Sequence, residues 1–65
     1  LSILEYINEV RLNKAAEWLV KSELNVHEVI NKTGFENETY FYSIFKKKFG
    51  TTPREYALKQ NLKFT

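Results

Sequence analysis

The chain has 65 residues, no cysteine and a formal charge of +2, from ten Lys and Arg against eight Glu. This length allows one small domain, and the absence of cysteine excludes a disulfide or a thiolate metal site that would stabilise it. An apolar fraction of 43% with ten aromatic residues is enough for a core and argues against disorder, whereas no apolar run approaches the ~20 residues of a membrane span and no signal peptide is visible.

The first predicted element is a long α-helix. It begins at Ser2, which forms a capping box with Glu5, and runs to about Lys21. Apolar residues recur along this segment at helical spacing and predict a buried stripe. The stripe consists of Leu4, Ile7, Ala15, Trp18 and Leu19, with Leu12 and Ala16 beside it.

Two short helices separated by a turn follow. Asn25 and Glu28 form a second capping box, and the helix that starts there ends before Gly34, a residue that readily adopts the left-handed conformation of a helix end. The next helix is predicted over 38–48. Two short helices on either side of a turn are typical of a helix-turn-helix, in which the second helix enters the major groove of DNA.

The fourth helix has the strongest start signal in the chain. Thr52, Pro53 and Glu55 combine an N-cap, a first-turn proline and a third-position glutamate, and the helix continues to about Leu62. Backbone N–H groups at such a start could also bind a phosphate. No segment alternates with period two, so the predicted fold class is all-α.

The outward face of the third helix carries the residues that indicate a function. With Phe41 at the centre of the buried face and an advance of about 100° per residue, polar side chains point away from the core. Hydroxyls and a carboxylate can bond base edges in a major groove, and lysines two turns further lie where phosphates are expected. The outward set consists of Thr39, Tyr42, Ser43 and Lys46, with Glu38 and Lys47 on its flanks.

The positive charge is concentrated at the C-terminal end of the chain. Residues 1–45 carry four positive side chains and seven Glu, a net −3, whereas residues 46–65 carry six positive side chains and one Glu, a net +5. This asymmetry favours an anionic partner at that end. Lysines near a helix C-terminus also complement the helix dipole, so the run Lys46–Lys48 alone does not indicate nucleic-acid binding.

Two segments resemble a known family. The stretch GFENETYFYSIFKKKFGTTPREY, from Gly34 to Tyr56, resembles the C-terminal signature of the AraC/XylS family of bacterial transcription regulators. The stretch YINEVRLNKAAEWL, from Tyr6 to Leu19, is similar to the helix that links the two helix-turn-helix units of such domains. The resemblance implies a homeodomain-like arrangement of a linker helix at 1–22, a helix-turn-helix at 25–49 and a C-terminal helix at 52–62.

The same resemblance implies a function. Residues 1–65 would be the C-terminal half of a sequence-specific DNA-binding domain in a cytoplasmic bacterial regulator, with recognition helix 38–48 in the major groove of promoter or operator DNA. In this family the base-facing residues would be Glu38, Thr39, Tyr42 and Ser43, with Lys46 and Lys47 near the DNA backbone.

The resemblance also implies partners. An upstream helix-turn-helix and an effector-binding, dimerisation or phospho-receiver domain would accompany this chain, and RNA polymerase is a candidate further partner. The first helix would normally pack against the upstream unit as well, so part of its apolar stripe would lie bare here.

Some residues depart from the family pattern or leave alternatives open. The family usually has an arginine where this chain has Ser43, and a small alanine where it has Ile30. The missing arginine and the Glu-rich first helix keep open an alternative, a helical protein-interaction module that does not itself read DNA. Arg11 has three interpretations: a pair with a carboxylate outside the chain, a phosphate contact, or a solvated charge.

An enzyme is the least favoured class. With His27 as its one histidine, and with no cysteine and no aspartate, the chain lacks a nucleophile combined with a base and an orienting group. A lone histidine also makes no metal site. We therefore expect no catalytic residues, no metal ligands and no cofactor.

Overall fold

The structure, a computed structural model, describes residues 2–62 and contains four α-helices. They are α1 (Ile3–Lys21), α2 (Val26–Thr33), α3 (Glu38–Phe49) and α4 (Pro53–Leu62). No strand occurs within residues 2–62, the all-α prediction is confirmed, and every helix has its ends within one residue of the predicted ones. The predicted basic segment also includes Lys63, which lies outside the described residues.

Local hydrogen bonds explain why the short helices begin and end where they do. At the start of α2, Asn25 Oδ1 accepts from the Glu28 backbone N–H at 2.9 Å, and Glu28 Oε1 accepts from the Asn25 backbone N–H at 3.1 Å. Gly34 ends α2 at φ 90°, and Gly50 ends α3 at φ 76°. Residues with a Cβ avoid this left-handed conformation, so glycine is favoured at both ends.

The core lies between α1 and the other three helices. α1 packs mainly against α2 and α4, and its fully buried Ala15 leaves room for a close approach of the helices. Aromatic and branched side chains of α2, α3 and the intervening turn fill the remaining space. The hydrophobic core cluster consists of Leu12, Ala15, Ala16, Leu19, Val29, Ile30, Phe35, Phe41 and Phe45, and Pro53 at the start of α4 is also buried.

The buried face of α1 differs from the predicted stripe. All buried residues of this helix lie between Leu12 and Leu19, whereas Leu4 and Ile7 are 63% and 37% exposed. At about 100° per residue, the observed face is rotated by roughly 80° from the predicted one. Leu4 and Ile7 are therefore the bare part of the stripe that the sequence led us to expect, because the first two turns of α1 extend beyond the core.

A chain of aromatic rings fixes α3 against the rest of the fold. Phe35, in the turn, meets the Phe41 ring edge-on at a centroid distance of 5.1 Å, and Phe41 lies 5.6 Å from Phe45. The Phe45 ring continues the chain to Phe49 at 4.5 Å and to Tyr56 of α4 at 5.6 Å. Because these rings occupy one side of α3, its other side is turned to solvent.

Candidate nucleic-acid interface

The side of α3 opposite the aromatic chain is polar and exposed. Tyr42 is 39% exposed. Its ring packs edge-on against the Phe41 ring at a centroid distance of 5.8 Å, and this contact restricts the orientation of the Tyr42 side chain. Ser43, the next residue, is also exposed. All six residues named from the sequence are exposed: Glu38, Thr39, Tyr42, Ser43, Lys46 and Lys47. At about 100° per residue, Glu38 lies only about 60° from Phe41, at the edge of this side, whereas the other five lie about 100–160° from Phe41.

The three consecutive lysines of α3 do not behave alike. Lys46 and Lys47 are exposed, and Lys47, like Lys48, also borders the groove between α1 and α3. Lys48 turns toward α1, where its Nζ lies 3.1 Å from Glu9 Oε1, and it also lies over the Phe49 ring at 5.7 Å. The sequence grouped Lys48 with the phosphate-facing lysines, but the structure gives it a carboxylate partner on another helix.

A second polar bond joins α1 to α3. Asn8 Nδ2 donates to the Tyr40 hydroxyl at 2.8 Å, and this bond and the Glu9–Lys48 pair border a groove of about 310 Å³. The bonded residues are 32 and 39 positions apart, so no local pattern in the sequence signals them. Their effect is to tie both halves of α3 to the N-terminal half of α1.

The N-terminus of α3 is joined to the N-terminus of α2. His27, the second residue of α2, contacts the Glu38 carboxylate through its Nδ1. Glu38 is the first residue of α3 and one of the residues expected to face bases. His27 is not among the residues that the sequence predicts at the interface. Both residues lie in the first turn of consecutive helices of the motif, and this is the one feature of the sequence that could have indicated the contact.

Arg11 covers the turn between α2 and α3. Its guanidinium carbon lies 5.8 Å from the centre of the Phe35 ring, and a Cβ on Gly34 would lie 3.6 Å from the same group. A cation above an aromatic face is attracted to the ring electrons. None of the three interpretations drawn from the sequence included this contact, which links α1 to the motif.

The N-terminus of α4 is capped by a glutamate of its own first turn, Glu55. Glu55 Oε1 accepts from the Thr52 hydroxyl at 2.9 Å, the Thr52 backbone N–H at 3.3 Å and the Thr51 hydroxyl at 3.2 Å. The Thr52 hydroxyl bond, followed by the Thr52 backbone and Thr51 bonds, lowers the pKa of Glu55 from its ordinary 4.5. An ionised carboxylate at this helix start would repel a phosphate there.

Within residues 2–62 no group of three or more His, Cys, Asp or Glu is arranged to hold a metal ion. Over the same range no helix combines the length and the hydropathy that crossing a membrane requires.

Sequence comparison identifies the family. Residues 1–59 match the model of a helix-turn-helix domain family. The chain belongs to this family. The match confirms the resemblance to AraC/XylS regulators, a family of DNA-binding transcription regulators. No comparison favours the protein-interaction alternative.

Several relatives share this helix-turn-helix region. The chain is 39% identical over 59 residues to YpdC, an uncharacterized HTH-type transcriptional regulator of Escherichia coli, a match covering 91% of the chain and 21% of that protein. It is 40% identical over 50 residues to the xylose operon regulatory protein of Escherichia coli, covering 77% of the chain and 13% of the relative. It is 35% identical over 60 residues to histidine kinase P4 of Formosa agariphila, a match covering 92% of the chain and 4% of that protein.

These matches concern only part of each relative. The chain spans about a fifth or less of the length of the three proteins. No solved structure matches the chain.

Proposed function

We propose that this chain reads specific DNA sequences by inserting α3 into the major groove. The observation that carries the proposal is the exposed polar side of α3, held outward by the aromatic chain on its other side. Thr39 and Ser43 hydroxyls can bond base edges, and the Glu38 carboxylate can accept from a cytosine amine. Tyr42 supplies a large surface for contact with the bases.

Lysines at the C-terminal end of α3 would anchor the helix to the DNA backbone. Lys46 and Lys47 are exposed on the outward side and carry the charge that phosphate oxygens attract. Lys48 is held by Glu9 and is not assigned to the DNA. These contacts would set the position of α3 in the groove, while the residues near its N-terminus would select the sequence.

The chain would be the C-terminal half of a larger DNA-binding domain. In this arrangement residues 1–22 form the linker helix, 25–49 the helix-turn-helix and 52–62 the C-terminal helix. Supporting it, α1 has a second apolar face, on the opposite side from the core residues and in its N-terminal half. That face consists of Ile3, Tyr6, Ile7 and Val10, all exposed.

An upstream helix-turn-helix unit would cover this second face. The complete protein would then be a cytoplasmic bacterial regulator acting at promoter or operator DNA, with an effector or receiver domain and with RNA polymerase as a further partner. Replacing Ile7 and Val10 by serine in the complete protein should lower its unfolding free energy by ~1.5–3 kcal/mol for each side chain that the upstream unit buries. An unfolding transition as unaffected as that of the exposed control Asn13→Ala would contradict this arrangement.

The reading role of α3 is tested by sequence preference. The complete protein and its Thr39→Ala/Tyr42→Ala variant would each select duplexes from a randomised double-stranded DNA library. We expect the variant to select a changed or relaxed sequence, because two base-facing side chains are lost, while Asn13→Ala on exposed α1 selects the original one. An unchanged preference in the double variant would instead support a helical module that binds proteins and does not read DNA.

A further inference from the structure

Glutamates stand near the start of all four helices, but Glu38 is bonded differently from the others. Glu5, Glu28 and Glu55 each accept a hydrogen bond from the backbone of their own helix cap. The cap of α3 is made by the Asn37 side chain, which accepts from the Tyr40 backbone N–H at 3.0 Å. The Glu38 carboxylate is therefore not used to cap α3.

The partner of Glu38 is His27, on the other helix of the motif. The ring Nδ1 contacts one carboxylate oxygen, Oε1, while the side chains remain 72% and 47% exposed. Contacts between exposed polar side chains contribute little to folding stability, so holding the fold together does not account for this one. Its main effect is on geometry, because it restricts a flexible carboxylate at the end of α3 that enters the groove.

We propose that His27 is a positioning residue for base recognition. This inference rests on the proposed function, in which Glu38 faces the bases. With Oε1 engaged by His27, the second oxygen, Oε2, is left to accept from a donor on a base edge. The donor in the major groove that suits it is the N4 amine of cytosine. Without His27, the carboxylate would be free to turn into solvent, away from the negative phosphates.

His27 has one competing role. The first helix of a helix-turn-helix crosses the DNA backbone, so a residue at the start of α2 could bind a phosphate directly. The observed contact between Nδ1 and Glu38 is what favours positioning, and a phosphate contact would have to use the other ring nitrogen, Nε2. The two roles differ in what they change: positioning affects one base pair, whereas a phosphate contact affects all sequences equally.

The test compares four variants of the complete protein: His27→Ala, His27→Gln, Glu38→Ala and the double variant His27→Ala/Glu38→Ala. A duplex selected by the unmodified protein from a randomised library is changed one base pair at a time, and binding to each duplex is measured at several salt concentrations. Unfolding midpoints of all variants verify that each is folded.

We expect His27→Ala and Glu38→Ala to relax the preference for the same single C·G pair, by about five- to tenfold, the lower end for one base contact. His27→Gln, whose amide can still donate to the carboxylate, should retain most of the preference. The double variant should be no worse than Glu38→Ala, because both changes remove one interaction. The salt dependence should not change.

Other results would overturn the inference. If His27→Ala weakened binding to every duplex alike and reduced the salt slope by about 0.9, His27 would be a phosphate ligand. If Glu38→Ala changed the base preference and His27→Ala did not, the positioning role would be wrong but α3 would still read DNA. The same conclusion would follow if Glu38→Ala left the base preference unchanged while Thr39→Ala/Tyr42→Ala altered it. If no α3 variant altered the preference, the proposed function itself would fail, and this inference with it.

Discussion

Replacing Lys46 and Lys47 by glutamine should flatten the salt dependence of DNA binding by the complete protein. Each phosphate neutralised by a cationic side chain releases condensed counterions, which gives a slope of about −0.9 in log K against log salt. Both side chains are exposed on the outward side of α3, and the ion pairs found within residues 2–62 engage neither of them. Losing two such contacts should reduce the steepness of the slope by about 1.8.

That change is large enough to measure directly. Over a fourfold rise in salt, from about 50 to 200 mM, the unmodified protein should lose about twelvefold more affinity than the double variant. Fluorescence anisotropy of a labelled duplex, titrated at five or six salt concentrations, gives both slopes. Binding to all duplexes should weaken to a similar degree, because phosphate contacts carry no sequence information.

Lys48→Gln is the matched control on the same helix. Its ammonium lies 3.1 Å from Glu9 Oε1, so this lysine does not face the proposed phosphates. We expect its removal to leave the slope nearly unchanged. A salt slope reduced as much by Lys48→Gln as by the double variant, or one left unchanged by the double variant, would refute the docking of α3 described above.

Two further predictions concern the fold. Glu55→Gln should destabilise the protein at pH 7, because the lowered pKa of Glu55 means that its ionised form stabilises the folded state. That contribution is present above pH 4.5 and is lost as the pH falls through the lowered pKa of the folded state. Thermal unfolding midpoints of variant and parent should therefore differ at pH 7 and converge at low pH, and a difference independent of pH would contradict this prediction. Phe45→Ala should lower the unfolding free energy by about 3–5 kcal/mol in denaturant titrations, since this ring is fully buried and packs against three others. A decrease in unfolding free energy as small as that of exposed Thr39→Ala would count against the aromatic chain as the support of α3.

The helix ends were predictable from the sequence because their causes are local. A capping box needs only two residues three positions apart, as at Asn25 and Glu28, and a helix that stops at Gly34 needs only one residue able to take positive φ. The outward residues of α3 followed from the same kind of reasoning, since Phe41 sets the rotation of a regular helix.

What could not be predicted depends on how the helices meet. The buried face of α1 is set by where α2 and α4 pack, and the stripe through Leu4 and Ile7 did not show which of its residues would lie bare. The pairing of His27 with Glu38 joins residues eleven positions apart across a turn, and Lys48 finds Glu9 on a different helix. Such contacts require the angle and distance between helices, which periodicity within one helix does not supply.

The two apolar faces of α1 constrain how the gene can change in length. The exposed face lies at residues 3–10 and the buried face at 12–19, on opposite sides of one continuous helix. Inserting one residue between the two faces would rotate one face relative to the other by about 100° around the helix axis. Inserting seven residues would restore their relative orientation to within ~20° but would lengthen the helix. If both faces are occupied in the complete protein, substitutions should accumulate along α1 far more readily than insertions or deletions.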